Sequence, residues 1–316
     1  MNRAFWLVPL LAAVSCFDLP EFAESSFIDR PRILAVVSDP PELSPSSTAS
    51  VTLSVLVAGA DEVADVRWTA CGMPGGGGFG GMGNMFGENE GDSGCGSGAI
   101  PLGEGERVSV SLDLARTLLN SDELAQAALG SELSAAALEQ IRTSVGIAAT
   151  IEVTLLADGK RLRALKRVLL RESDTPGSNP PPPMYRFGET VLRSEGDAPP
   201  YRCETEQGSL QVGLNESVAL VPLFDGDSEP WLETFTVLDA RGMLGERKEQ
   251  AFYSWFTDGG DLDDGSTRAP SRANEWRAPD EPGCAQIWLV VRDGHAGATS
   301  CVARVAVGAG GSCGEE

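Results

Sequence analysis

The chain has 316 residues, with 24 Lys or Arg against 46 Asp or Glu, giving a formal charge of −22 at neutral pH. So acidic a surface repels phosphate backbones and anionic bilayers, which excludes nucleic-acid binding and electrostatic adsorption to membranes. The single histidine, His295, excludes a multi-histidine metal site.

The chain opens MNR, with one positive charge at Arg3, and an apolar run follows from Ala4 to Val14, interrupted by Pro9. That is the length of a signal-peptide core and well short of the roughly 20 residues a membrane-spanning helix needs. The run ends in Ala13-Val14-Ser15-Cys16, which resembles the lipobox of bacterial lipoproteins. The resemblance implies cleavage before Cys16, acylation of its thiol with palmitate-type chains, and export to a lipid-anchored position. Phe17 rather than Asp follows the cysteine, which implies delivery to the outer membrane. Each buried methylene of such an anchor contributes roughly 0.8 kcal/mol. Residues 1–15 are thus expected to be a signal peptide and 16–30 a membrane-proximal spacer.

The mature remainder, about 300 residues, has room for two domains. Asp174 to Asn179 followed by Pro180 to Pro183 reads as a stiff, extended linker. It sets residues 31–172 apart from 184–309 and leaves 310–316 as a tail. Both halves are rich in strand patterns and repeat one plan. RILAVV and SVTLSVLVAGA open the first, and SVALVPLFDGD stands in the second. Each then places a tryptophan on a strand, Trp68 in DVRWTACG and Trp255 in FYSWFTDGG. Val108, Val110 and Leu112 alternate with polar neighbours as a half-buried strand does. Each half closes on a hairpin pattern whose turn carries Asp-Gly, at Asp158-Gly159 and Asp293-Gly294, where positive φ is needed. Short strands separated by turn signals predict a mainly-β protein with a Greek-key sandwich in each half. The pattern resembles the immunoglobulin-like or PKD-like modules of bacterial surface lipoproteins. The first half also carries a helical insert, with Ser121 and Ser134 as caps and Leu138, Ile141 and Val145 on one face, expected to cover the open end of the sandwich.

Six cysteines remain after Cys16: Cys71, Cys95, Cys203, Cys284, Cys301 and Cys313. An even number in an exported chain reads as disulfides. Cys71 and Cys95 bracket one loop and form the expected first pair, leaving the other four to pair within the second half. No CxxC occurs, so neither a zinc ribbon nor a thioredoxin-type redox site is supported.

Between Cys71 and Cys95 runs CGMPGGGGFGGMGNMFGENEGDSGC, in which Gly76, Gly78 and Gly81 formally satisfy GxGxxG. More glycines and then Glu88, Glu90 and Asp92 follow, which would repel a pyrophosphate, so nucleotide binding is set aside. Met73, Phe79, Met82, Met85 and Phe86 on this loop could adapt to an apolar partner. His295 sits in the turn DGHAG and reads as a surface residue rather than a catalytic base, and no catalytic residue is assigned. Asp258, Asp261, Asp263 and Asp264 in TDGGDLDDGS, with Asp225 and Asp227 in FDGDSE, offer oxygen ligands of the kind calcium prefers, although the EF-hand order is not met. No other cofactor is indicated. Arg161, Arg163, Arg167 and Arg171 share parity along one strand and so one face, with Lys160 and Lys166 adding charge. This strip is either a solvated face or a docking surface for an anionic glycan or protein. The expected function is therefore that of a membrane-anchored surface or periplasmic lipoprotein serving as a non-catalytic binding, adhesion or spacer module. The alternative is an exported carboxylate-dependent hydrolase of glycosidase type.

Overall fold

Strand-forming runs of Val, Ile and Leu build two β-sandwiches in a computed structural model, which describes residues 25–44, 50–71, 95, 100–111, 135–206, 208–224, 229–238 and 243–314. In the first half, β1 (Arg32–Asp39), β3 (Ser50–Ala58) and β6 (Arg107–Ser111) form one antiparallel sheet. The facing sheet has the order β2-β8-β7-β4-β5, from β2 (Glu42–Leu43), β8 (Lys160–Leu170), β7 (Ile147–Ala157), β4 (Val63–Ala70) and β5 (Ile100–Glu104). Leu53, Val55, Trp68, Val153, Leu155, Val168 and Leu170 fill the space between them. Trp68 is fully buried and donates its indole N–H to the Gly105 carbonyl at 2.7 Å. β7 and β8 pair from Ile147↔Leu170 to Ala157↔Lys160, closing on Asp158-Gly159 with φ of 49° and 74°. This is the two-residue turn that Asp-Gly predicts.

The helical insert is described only from α1 (Ala135–Gln140) onward, and a π-helical turn, Ile141–Val145, continues it. Ile141 is buried in the sandwich core and Val145 packs against it. The caps assigned to Ser121 and Ser134 lie outside the described residues.

The second half is one curled sheet in the order β17-β19-β13-β9-β10-β11-β21-β20-β16-β18. Its strands are β9 (Met184–Phe187), β10 (Thr190–Glu195), β11 (Tyr201–Glu204), β13 (Ser217–Leu223), β16 (Phe252–Thr257), β17 (Asp261–Leu262), β18 (Ser266–Arg268), β19 (Asn274–Arg277), β20 (Gly283–Arg292) and β21 (Ala298–Val307). A short β12 (Leu210–Val212) adds parallel to β21, and β14 (Thr234–Leu238) with β15 (Leu244–Lys248) forms a separate hairpin. Tyr185, Leu192, Leu220, Trp255, Trp276, Ile287 and Leu289 make the core. Tyr185 meets Trp255 edge-to-face at 5.4 Å. The second Asp-Gly differs from expectation: Arg292 pairs with Ala298, so Asp293 to Gly297 is a five-residue loop rather than a two-residue turn. The protein is thus mainly β, with an immunoglobulin-like sandwich in each half.

The halves are packed face to face. A third apolar cluster joins Leu34, Ala35, Val37, Leu56 and Ala58 of β1 and β3 to Trp288, Val290 and Ala298 of β20 and β21. Residues 173–183, read as an extended linker, are fastened into this seam. The Asn179 side chain donates to the Ser38 carbonyl at 2.9 Å and accepts from the Ala298 amide at 3.0 Å, touching both halves. Within the expected 16–30 spacer, Ser26 to Ile28 pair with Thr257 of β16, so this part is docked rather than free.

Candidate functional site

Several buried charged side chains lie where the halves meet. Glu42 lies on the short β2, is 2% exposed, and receives Arg171 Nη2 at 2.5 Å and the Gly177 amide at 2.7 Å on its Oε2. Across the seam His295 stacks on Phe235 at 3.8 Å between ring centres. Its Nδ1 lies 3.5 Å from Glu249 Oε1 and 4.0 Å from Glu42 Oε1. The histidine is therefore held between carboxylates of both halves and not displayed on a surface turn. Its loop is drawn inward because Asp293 accepts the amides of His295 at 2.7 Å and Gly297 at 2.8 Å. A side chain at Gly297 would strike the Asp293 carboxylate and Pro180, so this position needs glycine.

Beside this junction a cleft of about 280 Å³ opens between β1, β8 and the 293–297 loop. Ile33, Leu34, Val36 and Leu165 supply apolar lining, and Lys166, Arg292 and Asp293 supply charge. Burial lowers the Lys166 ammonium to a pKa of about 8, with Asp293 opposing that shift and Arg292 adding to it. Burial raises Asp293 to about 6, partly offset by its bonds to the loop amides. Arg292 is also lowered by burial.

The four arginines do not act as one strip. Arg171 is turned into the ion pair with Glu42, and Arg163 pairs with the buried Glu152 at 3.2 Å. Arg161 and Arg167 are exposed and make no ion pair or hydrogen bond among the described residues. Lys166 has the opposite parity, falling in register with Leu162, Ala164, Val168 and Leu170 on the core side. A lysine in an apolar register was the available sign of a special role; read as one more surface charge, it gave none.

Within TDGGDLDDGS the Asp258 carboxylate is used locally, while Asp261, Asp263 and Asp264 are held through their backbones. Asp258 accepts the Gln286 amide at 2.6 Å, and burial raises its pKa. The backbone of Asp263 donates to the Glu275 carbonyl, and Asp264 exchanges two hydrogen bonds with the Asn274 side chain. Asp261 pairs in register with Arg277. The carboxylates of Asp258, Asp261, Asp263 and Asp264 do not converge: the one cluster of three candidate ligands among the described residues is Cys71, Cys95 and Glu152. Its two sulfurs are bonded to each other, so a calcium centre at these aspartates is not supported. The disulfides are Cys71–Cys95, Cys203–Cys301 and Cys284–Cys313. A further buried acid, Glu229, takes Arg272 at 2.5 and 3.0 Å and Tyr253 Oη at 3.4 Å. Cys16, Asp225, Asp227 and the loop bearing Met73, Phe79, Met82, Met85 and Phe86 lie outside the described residues.

No family model matches the chain and no curated protein is similar to it. Among solved structures it is similar to a red sea bream transglutaminase at 9% identity and a TM-score of 0.23, covering 89% of this chain and 31% of that one. It is similar to the fibronectin(III)-like modules of Clostridium thermocellum CbhA at 11% identity and 0.22, covering 90% of this chain and 98% of that one. A third is the Bacteroides ovatus mixed-linkage glucan utilization protein SGBP-B, solved with a heptasaccharide, at 11% identity and 0.21, covering 88% and 47%. The chain spans about a third of the transglutaminase. Likenesses this distant carry no argument about activity.

Proposed function

We propose that the protein is an exported lipoprotein anchored through Cys16, whose paired sandwiches serve as a non-catalytic binding or adhesion module for an anionic protein or glycan. The observation that supports this reading is the outer edge of β8. β2 pairs with β8 only at Leu169 and Leu170, so among the described residues the stretch 160–168 offers a free strand edge. Arg161 and Arg167 stand exposed there on a chain of charge −22. A local excess of positive charge on an acidic body orients an anionic partner toward one face. The buried carboxylates of the seam, by contrast, are engaged in holding the two halves together.

The test uses immobilised alginate, an anionic polysaccharide. The unaltered protein is retained at low salt and released as salt rises, and the double variant Arg161→Glu, Arg167→Glu elutes without retention. Equal retention of the two proteins refutes the edge as the binding face. The anchor is tested separately by the intact mass of protein extracted from its native membranes. A mature mass starting at Cys16 with added acyl chains is expected, and an unlipidated mass starting elsewhere refutes the anchor.

A further inference from the structure

Two part-buried cations line the same cleft, and no carboxylate lies in ion-pair contact with either among the described residues, Asp293 acting on Lys166 only from farther off. Lys166 arrives from β8 and Arg292 from the end of β20, so the two halves each contribute one. Lys166 Nζ donates to the Ala296 carbonyl at 2.5 Å. Arg292 donates to the Leu34 carbonyl at 2.8 Å and to Ser254 Oγ at 3.1 Å. An ammonium offers three N–H donors and a guanidinium five, so both retain donors beyond these bonds. Neither takes part in any ion pair among the described residues. Asp293, the one carboxylate in the lining, commits its oxygens to the amides of His295 and Gly297.

Burying a cation without a counter-ion is costly, and an anion brought to it recovers part of that cost. The depressed pKa of Lys166 expresses the same penalty from the protein side. The rest of the lining is largely aliphatic, from Ile33, Leu34, Val36 and Leu165. A cleft of about 280 Å³ is near the lower limit of small-molecule sites.

We propose that this cleft binds a small organic anion, with a carboxylate head between Lys166 and Arg292 and a compact apolar body against Ile33, Val36 and Leu165. Because its two cations come from different halves, the bound anion also cross-links the seam. The cleft adjoins the β8 edge and shares Leu165 and Lys166 with that strand, but its test turns on Lys166 and the test of the edge on Arg161 and Arg167, so either assignment can fail without the other.

Sodium benzoate is the probe. Thermal unfolding of the mature protein, followed by tryptophan fluorescence, is compared in about 20 mM benzoate and in sodium chloride of equal ionic strength. A saturable rise in Tm is expected with benzoate, and Lys166→Met, which keeps the aliphatic stem and removes the charge, abolishes it. No rise in the unaltered protein, or an undiminished rise in the variant, overturns the proposal. Sodium sulfate matching the benzoate effect at equal ionic strength overturns the apolar half of it.

A measurement on the unaltered protein stands even if the variant fails to fold. Lys166 is faced by Asp293, Arg292 and His295, and of the two cations it is the one that loses its charge above a pKa of about 8. Benzoate affinity is therefore expected to fall several-fold between about pH 7 and about pH 9.5. An affinity unchanged over that range overturns the assignment.

Discussion

Asp293 spends both carboxylate oxygens on the loop that carries it, yet it stands in a buried setting that favours its neutral form. Its pKa of about 6 lies above the ordinary value of about 4. Between those two values the folded protein holds a proton that the unfolded chain releases. The contribution of this residue to stability is therefore fully present below about pH 4 and is lost as pH rises to about 6, by on the order of 2 kcal/mol. Asn cannot titrate, so Asp293→Asn removes the slope. Urea unfolding of both proteins at about pH 4.5 and about pH 7.5 is expected to show a penalty for the variant that shrinks as pH rises. A penalty that grows with pH refutes the assignment. The same residue explains why His295 departs from the surface position its sequence suggests: DGHAG has the composition of a solvent-exposed turn, and only the Asp293 bonds and the facing Glu42 and Glu249 make it an interior one.

At the scale of strands, the sandwiches were readable from alternation and turn chemistry, and the seam was readable in principle from where alternation fails. β20 runs Gln286-Ile287-Trp288-Leu289-Val290-Val291, apolar on both faces. Ile287 and Leu289 enter the second core, while Trp288 and Val290 enter the seam. A strand buried on both sides loses its polar face, and β1 shows the same pattern through Leu34 to Val37. What no local pattern carries is the pairing of distant groups: Glu42 with Arg171 and His295, or Asn179 with Ser38 and Ala298. The arginines of β8 also have a plain structural use, since charged residues on a free edge oppose pairing with another sheet. Spacing in sequence does separate the disulfides. Cys203–Cys301 closes 98 residues and Cys284–Cys313 closes 29. Chain entropy assigns about 4–5 kcal/mol to the first and about 3 to 4 to the second. Cys203 and Cys301 are also core residues, whereas Cys284 is exposed. Replacing the first pair by alanines is expected to lower the urea midpoint more than replacing the second, and the reverse order refutes this ranking.

For the whole molecule the question is whether the seam merely adjoins two finished domains or completes them. Each half has its own core, built around Trp68 in one and around Trp255 and Trp276 in the other. The seam cluster draws on the outer faces of β1, β3, β20 and β21. Each sandwich should therefore survive the loss of the seam, while their mutual position should not. Val290 is fully buried in that cluster, so Val290→Asp places an unpaired charge in the seam while leaving both inner cores intact. Far-UV circular dichroism should remain that of a β-protein, unfolding should separate into two transitions, and residues 173–183 should become open to protease once Asn179 loses its partners. If the variant instead unfolds in one cooperative step with no folded fragment surviving proteolysis, the halves depend on each other for folding. The seam would then belong to a single shared core.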